Sequence, residues 1–211
     1  MDIELQFSPS SSEVAFGIEK WANLLDSFED VFRRVVALFR AHERKHFDTE
    51  GTYTGPKFAE LSAAYSAWKE DNFPGRPILV QTGALRDALA FGGPGSIEDI
   101  GPRRLRVGVD EGAIPYAAAH AFGLGHMPER PLIRFDGSFT GTPRAGTFGF
   151  AVTQLFQAYV VWARRRALGT DDPFHDERFS GRVDAIMQYA TGDEGELDNA
   201  LAAALQGMTG A

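Results

Sequence analysis

The stretch of sequence that decides the fold is PGRPILVQTGALRDALAFGGPGSIEDIGPRRLRVGVDEGAIPYAAAHAFGLGHMPERPLIRF, residues 74–135. It contains the densest turn-forming residues and the clearest strand pattern of the chain. Three short motifs follow one another in it: LVQTGAL at 79–85, PYA and HAFG within 115–123, and MPERPL at 127–132. None of them contains a recognisable catalytic group, so we interpret them as parts of a scaffold.

Two short helices are predicted within this stretch. Thr82 is a suitable N-cap for a helix that passes through Leu89, because its hydroxyl can accept a bond from a free backbone N–H of the first turn. Residues 116–122 form a second helix, and Gly123 is placed to end it in a left-handed conformation.

The same stretch supplies most of a small, mainly antiparallel sheet. In residues 104–110 leucine and valine alternate with arginine and aspartate, which is the period of a half-buried strand. Two prolines force residues 127–135 into an extended conformation. We predict that the sheet is made from residues 2–7, about 89–92, 97–100 and 104–110.

Upstream, apolar residues recur every three or four positions, which predicts a long amphipathic helix. From Ile18 to about Phe47 it would be about 45 Å long if it were continuous. The stripe consists of Ile18, Trp21, Leu25, Phe28, Phe32, Val35, Phe39, His42 and His46. A stripe of this length needs a long partner, which could be a sheet, another helix or a neighbouring subunit.

The composition changes after about residue 135, and this change predicts that the chain is divided into three regions. Residues 1–135 form an α+β domain in which the long helix packs on the sheet, and 136–150 form a flexible glycine- and threonine-rich loop. Residues 151–211 form a helical C-terminal extension that begins with a helix over 151–168. Within it, residues 171–198 hold nine acidic residues against two arginines, which is typical of a solvated acidic surface.

The composition excludes several classes of function. The 211 residues include 21 basic and 29 acidic side chains, and this net charge of −8 argues against a specific nucleic-acid binder. The chain has no cysteine, so disulfides, thiolate metal sites and cysteine nucleophiles are ruled out. No apolar run is long enough to cross a bilayer, and we expect a soluble protein with no membrane partner.

His42, Glu43 and His46 match the pattern HExxH. On a helix this spacing would place both imidazoles on one face for zinc, with the glutamate activating a water molecule. The charged Arg44 and Lys45 stand where metalloproteases usually have apolar residues, and the two histidines also continue the apolar stripe. A zinc metalloenzyme is therefore an alternative, and a buried or interface pair of histidines is the preferred interpretation.

Other catalytic patterns are missing from the sequence. There is no G-x-S-x-G nucleophile turn, no phosphate-binding P-loop and no dinucleotide fingerprint. His120 and His126 flank a glycine turn, where capping or packing is the commoner role. We therefore predict no catalytic residue, no metal and no cofactor, and we expect that the protein is not an enzyme.

Several motifs occur in an order that resembles the virion morphogenesis or tail completion proteins of Mu-like tailed bacteriophages. The resemblance covers about residues 18–135 and departs from the family pattern after Phe135. After the long helix the motifs are FDTEG at 47–51, residues 61–69, PGRPIL at 74–79, TGAL at 82–85, VGV at 107–109, PYA at 115–117, HAFG at 120–123 and PERP at 128–131.

The resemblance implies a structural virion protein that acts in tail completion or head–tail joining. Such a protein forms a ring, as a neck or tail-terminator component, and the resemblance suggests a hexamer. Its partners would be itself, adjacent neck or connector proteins and tail tube proteins. Its location would be the tail or neck of a virion assembled in the cytoplasm of the host bacterium.

A component of a phage-tail-derived particle is a further alternative, because one sequence does not distinguish it from an infectious phage. The residues that we predict at interfaces lie at the end of the apolar stripe, beside the proline-rich segment and in the long loop. They are His42, His46, Arg130, Arg134, Phe139 and Phe148.

Overall fold

The computed structural model describes residues 11–134 and 148–167. These ranges contain helices and one two-stranded antiparallel sheet, so the predicted α+β class is confirmed. The elements are α1 (Ser11–Leu24), α2 (Glu29–Asp48), α3 (Ala63–Asn72), α4 (Ala84–Phe91), β1 (Ser96–Gly101), β2 (Arg104–Val109), α5 (Tyr116–Phe122) and α6 (Phe148–Ala167). The predicted strand at 2–7, Phe139 and the acidic stretch 171–198 lie outside the described residues, and the division into three regions stays a prediction.

Helix α2 is the element on which the others pack. Acidic residues occupy its first turn and basic residues its last, which complements the helix dipole. One face is buried against α4, α6 and β1. Leu38, Phe39 and Phe47 are almost fully buried on it, and burial of side chains of this size contributes about 1.5–3 kcal/mol each.

The long N-terminal helix is divided in two, so the prediction of one continuous helix from Ile18 to about Phe47 was wrong. Helix α1 ends at Leu24 and α2 begins at Glu29. Residues 25–28 connect them in a non-helical conformation. The spacing of apolar residues correctly predicted helices on both sides of the break. This spacing does not indicate where one helix ends.

Tertiary hydrogen bonds stabilise this break. The Tyr159 hydroxyl lies 2.9 and 2.8 Å from the backbone carbonyl oxygens of Leu24 and Ser27, and the two acceptors share its single hydrogen. The backbone N–H of Phe28 donates to the carbonyl oxygen of Pro102 at 2.7 Å. These bonds satisfy polar groups at two helix ends, which would otherwise be left without partners.

Residues 89–92 are not a strand, which corrects the predicted sheet. Residues 84–91 form α4, and Leu85 and Leu89 lie four positions apart on its buried face. Gly83 and Gly92 bound the helix in left-handed conformations, with φ of 98° and 67°. The N-cap is therefore Gly83 and not Thr82 as predicted.

The sheet consists of β1 and β2 in the described part of the chain. They pair antiparallel from Ser96 opposite Val109 to Gly101 opposite Arg104. The predicted alternation in β2 is confirmed, because Leu105, Val107 and Val109 pack against the core while the arginines are exposed. The sheet lies against α2 and α4.

Helix α5 has the bounds that the sequence predicts, and Gly123 ends it with a φ of 63°. A Cβ at Gly123 would lie 2.9 Å from the backbone nitrogen of Glu129, so glycine is needed there for space as well as for conformation. Helix α6 begins three residues before the predicted start at 151 and packs on α1 and α2. No helix in the described ranges is long and apolar enough to cross a membrane.

Candidate functional site

The HExxH residues lie on the buried face of α2, close to its C-terminal end. His42, Glu43 and His46 are all almost completely buried. The helical spacing predicted from the sequence is therefore present. The contacts of each side chain decide what the group can do chemically.

The imidazole of His46 is held at both nitrogens. Its Nε2 lies 3.0 Å from the carbonyl oxygen of Pro131, and its Nδ1 lies 2.8 Å from the hydroxyl oxygen of Thr54. A carbonyl oxygen only accepts, so Nε2 carries the hydrogen and Nδ1 accepts from the hydroxyl. Burial lowers the pKa of His46, which favours this neutral form.

The imidazole of His42 makes an equivalent bond. Its Nε2 donates to the carbonyl oxygen of Arg134 at 2.9 Å. The ring also contacts two aromatic rings, those of Tyr53 and Phe148, with centroids 5.2 and 5.1 Å away. Two histidines on one helix thus hold the backbone of residues 131–134.

This geometry gives the HExxH pattern a structural role. Both Nε2 atoms donate hydrogen atoms to carbonyl oxygens, so neither offers a lone pair to a metal ion in this arrangement. Within residues 11–134 and 148–167, no group of three histidine or acidic side chains is placed to hold a metal. The geometry of this site therefore gives no support to the zinc alternative.

Glu43 is the most unusual group on α2. Its side chain has no exposed surface, and both carboxyl oxygens lack a hydrogen-bond partner in the described part of the chain. Burial raises the pKa of Glu43 well above its ordinary value, so the neutral acid is favoured. A neutral acid enclosed in the core is not placed to act as the base that activates a zinc-bound water.

Arg130 is buried beneath the start of the proline-rich segment. Its Nε donates to the carbonyl oxygen of Ala59 at 2.7 Å, and one terminal nitrogen donates to that of Glu60 at 2.9 Å. Its backbone N–H donates to the carbonyl oxygen of His120 on α5 at 2.7 Å. Arg130 therefore joins the segment before α3 to the segment after α5.

Lys69 on α3 is the second buried cation, and it was not among the residues predicted for the site. It is only 5% exposed, and its ammonium donates to the carbonyl oxygen of Pro77. Burial lowers its pKa, although the nearby carboxylate of Glu50 opposes this effect. No local pattern separates this lysine from the chain's other lysines, because its burial depends on how the loop at 73–80 folds back.

Lys69 and Arg130 line one pocket of about 270 Å³. His120 lines it as well, and its Nδ1 is buried without a partner among the described residues. Burial lowers the pKa of His120, and the charge of Arg130 lowers it further. The first residues of α4 and the rings of Tyr65 and Tyr116 complete the walls.

The predicted interface residues are mostly internal. His42, His46, Arg130 and Phe148 are buried, Arg134 is half-buried, and Phe139 lies outside the described residues. The four buried side chains contact other parts of the same chain. A role for these residues in contacts between subunits stays a prediction.

Large apolar side chains are exposed elsewhere. At the end of α5, Phe122 is 71% and Leu124 is 53% exposed. On α3, the rings of Tyr65 and Trp68 stack with centroids 5.5 Å apart, and both are exposed. Clusters of this kind commonly mark surfaces that contact another protein.

Comparisons with known proteins give one significant similarity to a curated protein. The chain is 28% identical over 135 residues to the Mu-like prophage FluMu G protein 1 of Haemophilus influenzae. The match spans 63% of this chain and 84% of that protein. No family model matches the chain, and no solved structure matches it. The similarity supports a relationship to a Mu-like phage protein family and a phage-related location.

Proposed function

We propose that the protein is a structural virion component of a tailed bacteriophage that acts in tail completion or head–tail joining. It forms a ring, with six copies as the expected number, at the neck or at the head-proximal end of the tail. Its partners are further copies of itself, adjacent neck or connector proteins and tail tube proteins. It assembles in the cytoplasm of the host and has no catalytic residue.

The observation that carries this proposal is the similarity to the Mu-like prophage G protein. Because the match covers 84% of that protein, it extends over most of a whole chain and not over one shared motif. A role in phage structure or morphogenesis follows from that relationship. The finer assignment to the neck or tail end rests on the order of the motifs in residues 18–135.

The structure supports the proposal through the role of these motifs in shaping the chain. The TGAL motif begins α4, and the HAFG motif ends α5 at Gly123. The PERP motif is fixed by Arg130 and by the bond from His46. A subunit that repeats around a ring needs a fixed shape of this kind.

The exposed apolar groups supply candidate contacts between subunits. Phe122 and Leu124 project from the end of α5, and Tyr65 and Trp68 from α3. The buried histidines and Arg130 would act indirectly, by holding residues 130–134 in place beside these surfaces. Aromatic side chains in this setting are frequent energetic centres of protein interfaces.

The proposal is tested by the oligomeric state of the purified full-length chain, measured by native mass spectrometry and by electron microscopy. We expect closed rings, and we expect Phe122→Asp to shift them towards monomers. Thr52→Asp is the control, because Thr52 is exposed in a loop outside these clusters. Monomers alone for the wild-type chain, at all concentrations and in the presence of phage tail tubes, would contradict the proposal.

A further inference from the structure

The pocket between α3, α4 and α5 contains two buried cations, and neither forms an ion pair with a described carboxylate. Glu50 and Glu70 act on the charge of Lys69 only from a greater distance. Lys69 and Arg130 are 5% and 3% exposed. Their hydrogen bonds go to backbone carbonyl oxygens, and no described carboxylate lies within ion-pair distance of either. Buried charges are normally paired, so two unpaired cations that line one cavity indicate a site for an anion.

Two further groups at the pocket are suited to bind an anion. The Nδ1 of His120 is buried without a partner among the described residues. Gly83 and Ala84 line the pocket at the start of α4, where the N-cap glycine has no side chain and the Thr82 hydroxyl accepts a bond of 3.4 Å from the Ala84 N–H. The free N–H groups and the dipole at a helix start favour negative charge.

Much of the remaining wall is apolar, apart from the side chains of Gln81 and Thr82, and this limits the class of ligand further. Leu61, Leu79 and Leu85 form part of its wall, and Tyr65 and Tyr116 are exposed beside it. An apolar wall next to buried cations suits a carboxylate that lies beside an aliphatic group. A bare inorganic anion would leave the apolar wall uncovered.

We propose that this pocket binds the acidic stretch 193–198 of a second copy of the chain. The sequence DEGELD places four carboxylates around Leu197, so it offers both the charge and the aliphatic group that the pocket lacks. The contact deepens the proposed function, because it specifies how neighbouring subunits of the ring recognise each other. Electrostatic complementarity of this kind fixes which surfaces meet.

The proposed ring requires contacts between copies of the chain, and the direction of α6 agrees with a contact to a second copy. Its first residue, Phe148, contacts His42, whereas Tyr159 reaches Leu24 and Ser27 beyond the other end of α2. The pocket lies at the His46 end, because Arg130 precedes the proline that His46 binds. Helix α6 therefore leads away from the pocket over about 30 Å, the length of its 20 residues. A contact between two different surfaces of neighbouring copies is the kind that closes rings.

The test uses cross-linking between two single-cysteine proteins, since the chain has no cysteine of its own. Thr82→Cys places a thiol in the pocket, and Gly195→Cys places one in the acidic stretch of a separately purified full-length protein. Mixed under mild oxidation, the two should form a disulfide-linked pair at least about tenfold faster than a control pair, because docking raises the local thiol concentration. The control pair combines Gly195→Cys with Thr52→Cys, an exposed position outside the pocket.

Charge-neutral variants test the chemistry of recognition. Adding Lys69→Met to the pocket protein should abolish the excess cross-linking, whereas Lys20→Met, an exposed lysine on α1, should leave it unchanged. If Lys69→Met fails to fold, Glu194→Gln with Glu196→Gln on the acidic partner tests the same contact without altering the pocket. Equal cross-linking by neutral and acidic partners would overturn the proposal.

Two other outcomes would also overturn it. The first is a disulfide that forms within one chain carrying both cysteines but not in the mixture, which would place the acidic stretch in its own pocket. The second is cross-linking no faster than the Thr52→Cys control. If rings are nevertheless observed by native mass spectrometry, only this contact is wrong, whereas the absence of both rings and cross-links would also remove the proposed function.

Discussion

His46 joins α2 to Pro131, 85 residues further along the chain, through a hydrogen bond of 3.0 Å from its Nε2 to the proline carbonyl oxygen. The hydroxyl of Thr54 satisfies the other ring nitrogen at 2.8 Å. The proline-rich segment is therefore positioned by a side chain from the centre of the fold. The same arrangement occupies the nitrogen atoms that an HExxH zinc site would use.

Replacing His46 with alanine should destabilise the protein by about 2–4 kcal/mol. The change removes a buried ring, leaves a cavity and deprives the Pro131 carbonyl of its donor. Chemical denaturation of both proteins measures the loss. His126→Ala is the matched control, because His126 is exposed, and it should change the free energy of unfolding by less than about 0.5 kcal/mol. Equal effects of the two substitutions would show that the His46 contact is not structural.

Glu43 should make the stability of the protein depend on pH. Because burial raises its pKa, the folded chain retains a proton that the unfolded chain releases. The stabilisation is complete below the unfolded pKa near 4.5 and is lost as the pH rises towards the folded pKa. The loss approaches about 1.4 kcal/mol for each pH unit in that interval.

Glu43→Gln removes this titration. The free energy of unfolding of the variant minus that of the wild type should therefore be more than about 1 kcal/mol larger at about pH 8 than at about pH 5. Denaturation curves at both pH values for wild type and variant measure the difference. Glu19→Gln, at an exposed position on α1, should show no such gain. The explanation fails if Glu43→Gln and the wild type lose or gain stability in parallel over this range.

Arg130→Glu should lower the free energy of unfolding of the subunit, and any loss of assembly should follow from this loss of stability. The sequence alone predicts an interface residue, for which charge reversal would leave a folded subunit. The structure instead places the guanidinium against the carbonyl oxygens of Ala59 and Glu60, where a carboxylate would be repelled. We expect a loss of about 3 kcal/mol or more, because an unpaired charge would be left in the interior. Thermal unfolding measures this loss, and Arg76→Glu, at an exposed position, is the control. A fully stable Arg130→Glu protein that no longer assembles would restore the interface interpretation.

Zinc should not be required for folding. The purified protein is expected to contain well below one equivalent of zinc, and a chelator should leave its midpoint of thermal unfolding unchanged. Elemental analysis and thermal unfolding measure these two quantities. One tightly bound equivalent that is lost in His42→Ala would revive the metalloenzyme alternative and would require both imidazoles to change their hydrogen bonds.

Local sequence patterns predict some elements well because local physics decides them. Helix α5 and its end at Gly123 follow from a short apolar run and a glycine that must adopt positive φ. The alternation in β2 gives its exposed and buried faces directly. The break after Leu24 has a different origin, because it depends on the hydroxyl of Tyr159, far away in the sequence.

The candidate site shows the same division between local and distant causes. The spacing of His42 and His46 indicates that they share one helix face, but it does not reveal their carbonyl partners in residues 131–134. Lys69 resembles a surface lysine in sequence, but in the structure it is buried and its ammonium donates to the carbonyl oxygen of Pro77. Hydrogen bonds and burial that involve two segments far apart in the sequence can therefore be identified only from the structure.

The most direct test of the central claim is deletion of the gene from the phage or prophage that carries it, followed by electron microscopy of the particles. The proposed role in tail completion or head–tail joining predicts that unjoined heads and defective tails accumulate. Supplying the wild-type protein from a second gene copy should restore joined particles. Normal numbers of complete, joined particles from the deletion would contradict the proposal.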